Sequence, residues 1–366
     1  MRFLIISMGP GETAQGAAFA RYALAAGHDV SMGVLVPETL RFIDDLDAPK
    51  SVIRTGTEAR NEIERGGFDV VVFISSKAFK SDPDFQNTPP KNRPLACSLD
   101  SNWLFDHPRW FPCIQWLDTI FLNFPPRIYR YGLKEHGGFY QIPAHLKPRL
   151  MPVGLVPSYP PLEARTRAEI RHRLGVQDHH ALIFSYFGFS MTYHADFYGR
   201  YLRVMEALDA ESGGRLRVIH FGHERPQAPW LVPVERTVGS RRYFDLLASS
   251  DLVFQHQGLG TLQQAMSAHV PAVVNVPPPR RGVRHTLAAE VEPFARAGVC
   301  TRHFFDDPLD QVLDSMRTLL FSPESRAAMV REQKNHYSVG EKTMLQAIEA
   351  GLRMPEALPN GYQTRL

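Results

Sequence analysis

Cysteine is scarce in this sequence. The three present, Cys97, Cys113 and Cys300, are an odd number without CxxC or metal-ligand spacing, which argues against a disulfide framework and for a reducing cytoplasm. Net charge is equally slight. Lysine and arginine number 41 against 38 acidic residues, a balance of +3 that argues against a nucleic-acid surface, although Arg280, Arg281 and Arg284 cluster locally. No apolar run approaches the length of a membrane span, and the opening MRFLIISMGPG has one basic residue and too short an apolar core for a signal peptide. The expectation is a protein without a transmembrane segment, with peripheral membrane contact left open.

Against those absences, 366 residues with 44% apolar and 22% charged content are enough for two ordinary globular domains. Arg2 to Met8 reads as a buried strand, followed by a glycine-rich turn and a helix from about Thr13 to Ala26 that stops at Gly27. Further strands are expected at Val30–Val36, Val70–Ile74, Leu95–Ser98, Thr119–Asn123 and Leu150–Val153, the pattern of an open parallel sheet. The stiff stretch VPSYPP from Val156 marks a linker, after which strands recur at Ala181–Tyr186, Arg217–Phe221, Leu252–Gln255 and Ala272–Val276. This predicts an N-terminal Rossmann-like domain over residues 1–157, a second over 158–345 and a tail over 346–366. Two facing domains of this kind enclose a cleft, with ligands at the carboxyl ends of the strands. The polar, proline-bearing segment Lys77–Lys91 is expected to be a long loop or disordered.

Chemistry concentrates in FQHQGLGTLQQAMSAHVPAVVNVP, Phe254 to Pro277. A glycine-rich turn between a strand and a helix can hold phosphate, because backbone N–H groups approach the ligand closely and the helix N-terminus favours negative charge. The stretch resembles the donor-site signature HGGxGTxxEAxxxGxPxxxxP of nucleotide-sugar glycosyltransferases of the GT-B fold, particularly family 1 and the lipid II-forming GlcNAc transferases. His256, Gly258, Gly260, Thr261, Ala265 and Pro271 match position by position, and Pro277 falls one residue beyond the pattern's last proline. The alternative is an ordinary βαβ crossover with a glycine turn.

Two departures concern the donor. Where the family has a glutamate that bonds the ribose hydroxyls, this chain has Gln264, which pairs with a hydroxyl without charge. Where the family often has Asp-Gln for the sugar hydroxyls, RRGVRHTLAAE places Arg284 and His285. Those cations suit a negatively charged donor or a second grip on the diphosphate, and equally a solvated rim loop.

Three further segments resemble the same family. In TVGSRRYFDLLASSDLVF, the turn at Gly239, Ser240 and Arg241 takes the place of the turn against the nucleobase. In IFSYFGFSM, Gly188 and Ser190, with Thr192 beyond, stand where the family's loop reaches the diphosphate. The N-terminal SMGPGETAQGAAFARYALAAGHDV resembles the first loop and helix of sterol- and macrolide-type enzymes, which puts Glu12 at the acidic or catalytic position of that loop and His28 in a packing role at the helix end. Gly9, Gly11 and Gly16 lack the spacing of a dinucleotide fingerprint. In LACSLDSNWLFDHPRWFPCIQW the aromatic residues suit an acceptor or a packed loop, and Asp100 and His107 are the second choices for acid or base. There is no nucleophile elbow for a hydrolase, and no DxD-type metal motif stands out.

The resemblance implies a GT-B glycosyltransferase that moves a sugar from a nucleoside-diphosphate sugar, UDP or dTDP most of all, to a hydroxyl of a small-molecule, glycan or lipid acceptor. It implies inversion, no metal and no cofactor beyond the donor. A nucleotide-sugar 2-epimerase of the same fold and a non-catalytic nucleotide-sugar-binding partner are the alternatives.

Overall fold

Short unbroken apolar runs become buried parallel strands, and the glycine-marked segments between them become the turns into helices. The protein is seen in a computed structural model that describes residues 1–100, 112–135, 146–187, 194–222, 224–235, 238–256, 258–278 and 286–351. Its contacts divide it into two units: Met1–Ser158 with the C-terminal segment from Ser338, and Tyr159–Tyr337.

The first unit runs β1 (Arg2–Ser7), α1 (Pro10–Ala25), β2 (Asp29–Val34), β3 (Lys50–Val52), α2 (Gly56–Gly66), β4 (Val70–Ile74), α3 (Pro83–Asn87), β5 (Leu95–Asp100), β6 (Thr119–Leu122), α4 (Pro126–Glu135) and β7 (Leu150–Pro152). The strands form one parallel sheet ordered β3-β2-β1-β4-β5-β6-β7. Helix α1 lies close on this sheet at Gly16, where a Cβ would stand 3.1 Å from Ile74 and 3.3 Å from Ile5 and Met32. Phe19, Ala20 and Ala23 of the same helix are fully buried with Phe3 and Ile5.

The second unit runs α5 (Ala164–Arg173), β8 (Ala181–Phe187), α6 (His194–Glu211), β9 (Leu216–Phe221), α7 (Ser240–Ala248), β10 (Leu252–His256), α8 (Leu259–Ala268), β11 (Ala272–Val276), α9 (Thr286–Arg296), β12 (Thr301–Phe304), α10 (Leu309–Phe321) and α11 (Pro323–His336). Its parallel sheet has the order β12-β11-β10-β8-β9. Phe187, Phe197, Tyr201, Trp230 and Phe254 anchor its core against Val312 and Met316 of α10.

Two expectations give way. Lys77–Lys91 is not a plain loop: Asp82 caps α3 by accepting from the Phe85 N–H at 3.0 Å, and Phe85, 1% exposed, packs edge-on to Phe73 and Trp116. The last described helix, α12 (Gly340–Glu349), packs with the first unit, although the sequence placed the second domain through residue 345. The cause is its apolar face, Met344, Leu345, Ala347 and Ile348, which is buried in the core of the first unit where α12 packs on α1. Its start is tied in as well. Glu341 accepts from the Ser158 N–H at 2.8 Å and from the Ser158 hydroxyl, and Leu155 exchanges backbone bonds of 3.0 and 2.9 Å with Ser338 and Gly340.

Candidate functional site

In the second unit the chain leaves β8 to one side for β9 and returns on the other side as β10, so β8 and β10 are neighbours across a reversal of strand order. Ligands of open parallel sheets gather beyond the carboxyl ends of strands at such a reversal. Phe187 and His256 end these two strands opposite each other in register.

Gly258 follows with φ +92° and ψ 122°, a conformation that residues with a Cβ rarely adopt, and serves as N-cap of α8 without any side-chain cap bond. The first N–H groups of a helix have no partner in the helix itself. Together with the helix dipole they form a site for an anion. Among the described residues, a Cβ added at Gly258 or at Gly260 would meet nothing within 4 Å.

The turn is held from beneath by Gln255, which the sequence reading passed over. Its side chain is fully buried and donates from Nε2 to the Gly258 carbonyl at 2.8 Å, while Asn275 of β11 donates to the Gln255 carbonyl at 3.2 Å. The signal for it was the alternation along β10: if His256 faces one side of the sheet, Gln255 faces the other.

His256 itself is only 1% exposed. Its ring stacks on Phe305 at 4.9 Å and lies 5.0 Å from Phe197 and 6.5 Å from Phe187. Arg200 fixes the loop that carries Phe305, donating to the carbonyls of Phe305 at 2.8 Å and Pro308 at 3.4 Å. Thr261 is buried in the first turn of α8, with its hydroxyl 2.9 Å from that of Tyr243. Gln264 lies one turn further on, and its buried Oε1 has no hydrogen-bond partner among the described residues.

Gly239 is the N-cap of α7, also without a side-chain cap, and Ser240 begins that helix. Arg241 is exposed and occupied locally, bonded to Asp245 at 2.9 Å and set over the rings of Tyr159 and Phe244 at 5.6 and 5.9 Å. Thus Gly258 caps the helix that carries Gly260, Thr261 and Gln264, while His256 packs among Phe305, Phe197 and Phe187. Gly188, Ser190, Thr192, Arg280, Arg281, Arg284, His285 and His107 lie outside the described residues.

In the first unit the strand order reverses between β1 and β4, and Glu12 stands beside that reversal in the first turn of α1. Its carboxylate folds back toward the N-cap, with Oε2 3.0 Å from where a Cβ of Gly9 would be, and it complements the dipole of α1. Asp100, at the end of β5, is 5% exposed and fully engaged. It accepts from the Ser76 N–H at 3.0 and 3.1 Å, the Ser76 hydroxyl at 3.0 Å and the Ser98 hydroxyl at 2.9 Å. Burial raises its pKa and these donors pull it back, so the carboxyl braces the turn after β4. His28 packs on Phe3 at 5.5 Å and bonds Glu349 at 3.0 Å, the packing role expected of it.

Among the described residues no group of three or more His, Cys, Asp or Glu side chains could hold a metal ion. The two Asp-x-Asp triplets that do occur carry structural bonds: Asp45 pairs with Arg21, Asp82 caps α3, and Asp84 pairs with Arg60. Nor is any described helix long and apolar enough to cross a membrane.

No family model and no curated protein matches the chain. Solved structures do. The S. aureus MnaA–UDP co-structure is similar at a TM-score of 0.69 and 11% identity, with 98% of each chain covered. A putative UDP-N-acetylglucosamine 2-epimerase from Listeria monocytogenes gives 0.66 and 13%, again with 98% of each chain covered. The glycotransferase of kitacinnamycin gives 0.64 and 14%, with 96% of this chain and 99% of that one covered. The fold is GT-B. At these identities the likeness establishes the two parallel sheets with their flanking helices and leaves the chemistry to the residues.

Proposed function

We propose that this GT-B protein is a glycosyltransferase that uses a nucleoside-diphosphate sugar, UDP or dTDP in the first instance. The observation that carries the proposal is the N-terminus of α8, which starts at Gly258 without a side-chain cap and lies beside the strand-order reversal of β8 and β10. A diphosphate bound there is met by backbone N–H groups and the helix dipole. Gln264, one turn along, has a buried carbonyl oxygen that a ribose hydroxyl would satisfy.

The first unit then holds the acceptor. A base there, Glu12 before Asp100 or His107, takes the proton of the acceptor hydroxyl as its oxygen attacks the anomeric carbon. The bond to the diphosphate breaks with inversion, and the leaving charge is stabilised by the α8 N-terminus without a metal. Asp100 is the weaker candidate because its oxygens are engaged by Ser76 and Ser98. The acceptor is a small molecule, a glycan or a lipid, and the three free thiols, two of them buried, fit a cytoplasmic home.

The test is binding of UDP-, dTDP- and GDP-sugars followed by transfer to an acceptor panel. Absence of binding for all three nucleotide classes refutes the proposal. A second reading is a nucleotide-sugar 2-epimerase, the activity printed for the Listeria structure that shares this fold. Donor incubated alone separates the two: a change at C2 of the sugar without any acceptor identifies the epimerase.

A further inference from the structure

Tyr243 of α7 is half-buried, and its ring is wedged in place by three others. Phe184 meets it edge-on at 5.0 Å, Phe221 lies at 5.1 Å and Tyr186 at 6.1 Å. With the ring held, the phenol oxygen is aimed at one group, the hydroxyl of Thr261 at 2.9 Å. Thr261 is the third helical residue of α8, among the backbone N–H groups of that helix end.

Each of the two hydroxyls can donate or accept, so the pair by itself has no fixed direction. An anion above the helix end removes that freedom. A phosphate oxygen only accepts, so Thr261 must donate to it, and Tyr243 must in turn donate to Thr261. Hydrogen bonds in such a chain strengthen one another, most of all when the final acceptor is charged.

We infer that Tyr243 is a positioning residue for the diphosphate of the donor, acting through Thr261 in a one-way relay from phenol to hydroxyl to phosphate oxygen. The inference rests on the donor-site reading of α8. It explains why an aromatic residue of α7, remote from the glycine motif in sequence, is tied to the first turn of α8. Burial keeps the phenol pKa well above its ordinary value, so the proton to be donated is present throughout the neutral range.

The experiment is a double-mutant cycle on the full chain, with Kd for UDP, dTDP and GDP measured calorimetrically and melting followed alongside. Tyr243→Phe keeps the ring packing and is expected to weaken nucleotide binding about fivefold, the usual net worth of one hydrogen bond. In a Thr261→Val background the same change is expected to cost nothing further, whereas Thr261→Ser, which retains the hydroxyl, keeps the sensitivity to Tyr243→Phe. A merely structural Tyr243 would lower the melting temperature without this coupling. Unchanged affinity in Tyr243→Phe, or an equal loss with and without the Thr261 hydroxyl, overturns the relay while leaving the donor site standing. If the wild-type chain binds none of the three nucleotides, the donor-site reading falls and the relay with it.

Discussion

Gly260→Ala separates the needs of the helix from those of a ligand. Gly260 is the second residue of α8 and exposed, its φ is not positive, and a Cβ there would touch none of the described residues within 4 Å. Glycine in a helix costs about 0.5–1 kcal/mol relative to alanine, so in the free protein the substitution should stabilise the second unit by up to that amount. For a unit of this size that is a rise of about 1–4 °C in melting temperature. Every Cα–Cβ bond of a helix leans toward the N-terminus, so the same methyl group stands over the N–H groups proposed to receive the diphosphate. Loss of close approach by about 1.4 kcal/mol would weaken nucleotide binding about tenfold. The two effects therefore move in opposite directions, and calorimetric Kd values for UDP, dTDP and GDP read beside thermal melts detect both. A variant that melts higher and binds nucleotide as tightly as before would refute the placement of the diphosphate. Gly258→Ala cannot make this separation, because at φ +92° the alanine itself carries strain of about 1–2 kcal/mol.

Gln264→Glu should shift the preference between ribose and 2′-deoxyribose nucleotides, since a charged acceptor bonds vicinal hydroxyls more strongly; equal response of UDP and dUDP affinities would place the side chain away from the sugar. Glu12→Gln should lower turnover about 100-fold with little change in melting, and near-normal turnover with a true acceptor would move the base elsewhere. Asp100→Asn should destabilise by about 1–3 kcal/mol, because an amide nitrogen is turned against the Ser76 and Ser98 donors, and a stable variant would contradict the bracing role. Burial holds the Glu341 carboxyl above its ordinary pKa, so the folded chain keeps a proton that the unfolded chain has begun to release. That stabilisation is complete below the ordinary carboxylate range and is lost as pH rises through the raised folded value. Glu341→Gln should therefore gain on the wild type as pH rises in urea titrations, and parallel pH profiles would refute it.

The sheets were legible because parallel strands buried on both faces read as continuous apolar runs, as in FLII of β1 and VVVFI of β4. The strands missed were edge strands: Lys50–Val52 has three residues, and Thr301–Phe304 carries Arg302 and His303, so neither has such a run. The long polar segment hid α3 because only two buried rings, Phe79 and Phe85, and one capping carboxylate organise it. At the candidate site the glycine turn was readable, since a positive φ at a helix start demands glycine and leaves it in the sequence. What escaped were Tyr243, Gln255 and Arg200, whose roles depend on which strand or loop lies next to them. A buried glutamine on a strand looks the same in sequence whether it clamps a turn or only fills space.

The return of α12 to the first unit sets an order on the ribosome. Tyr159–Tyr337 is one uninterrupted segment, so every contact within that unit is available once Tyr337 has emerged. The first unit is made earlier but lacks Met344, Leu345, Ala347 and Ile348 until later synthesis delivers them to α1. Domains are ordinarily completed from the N-terminus onward during synthesis. Here the unit that starts first closes last. Until then the surface of α1 that receives α12 stays uncovered, so a nascent chain paused before Ser338 exposes apolar side chains to chaperones and proteases.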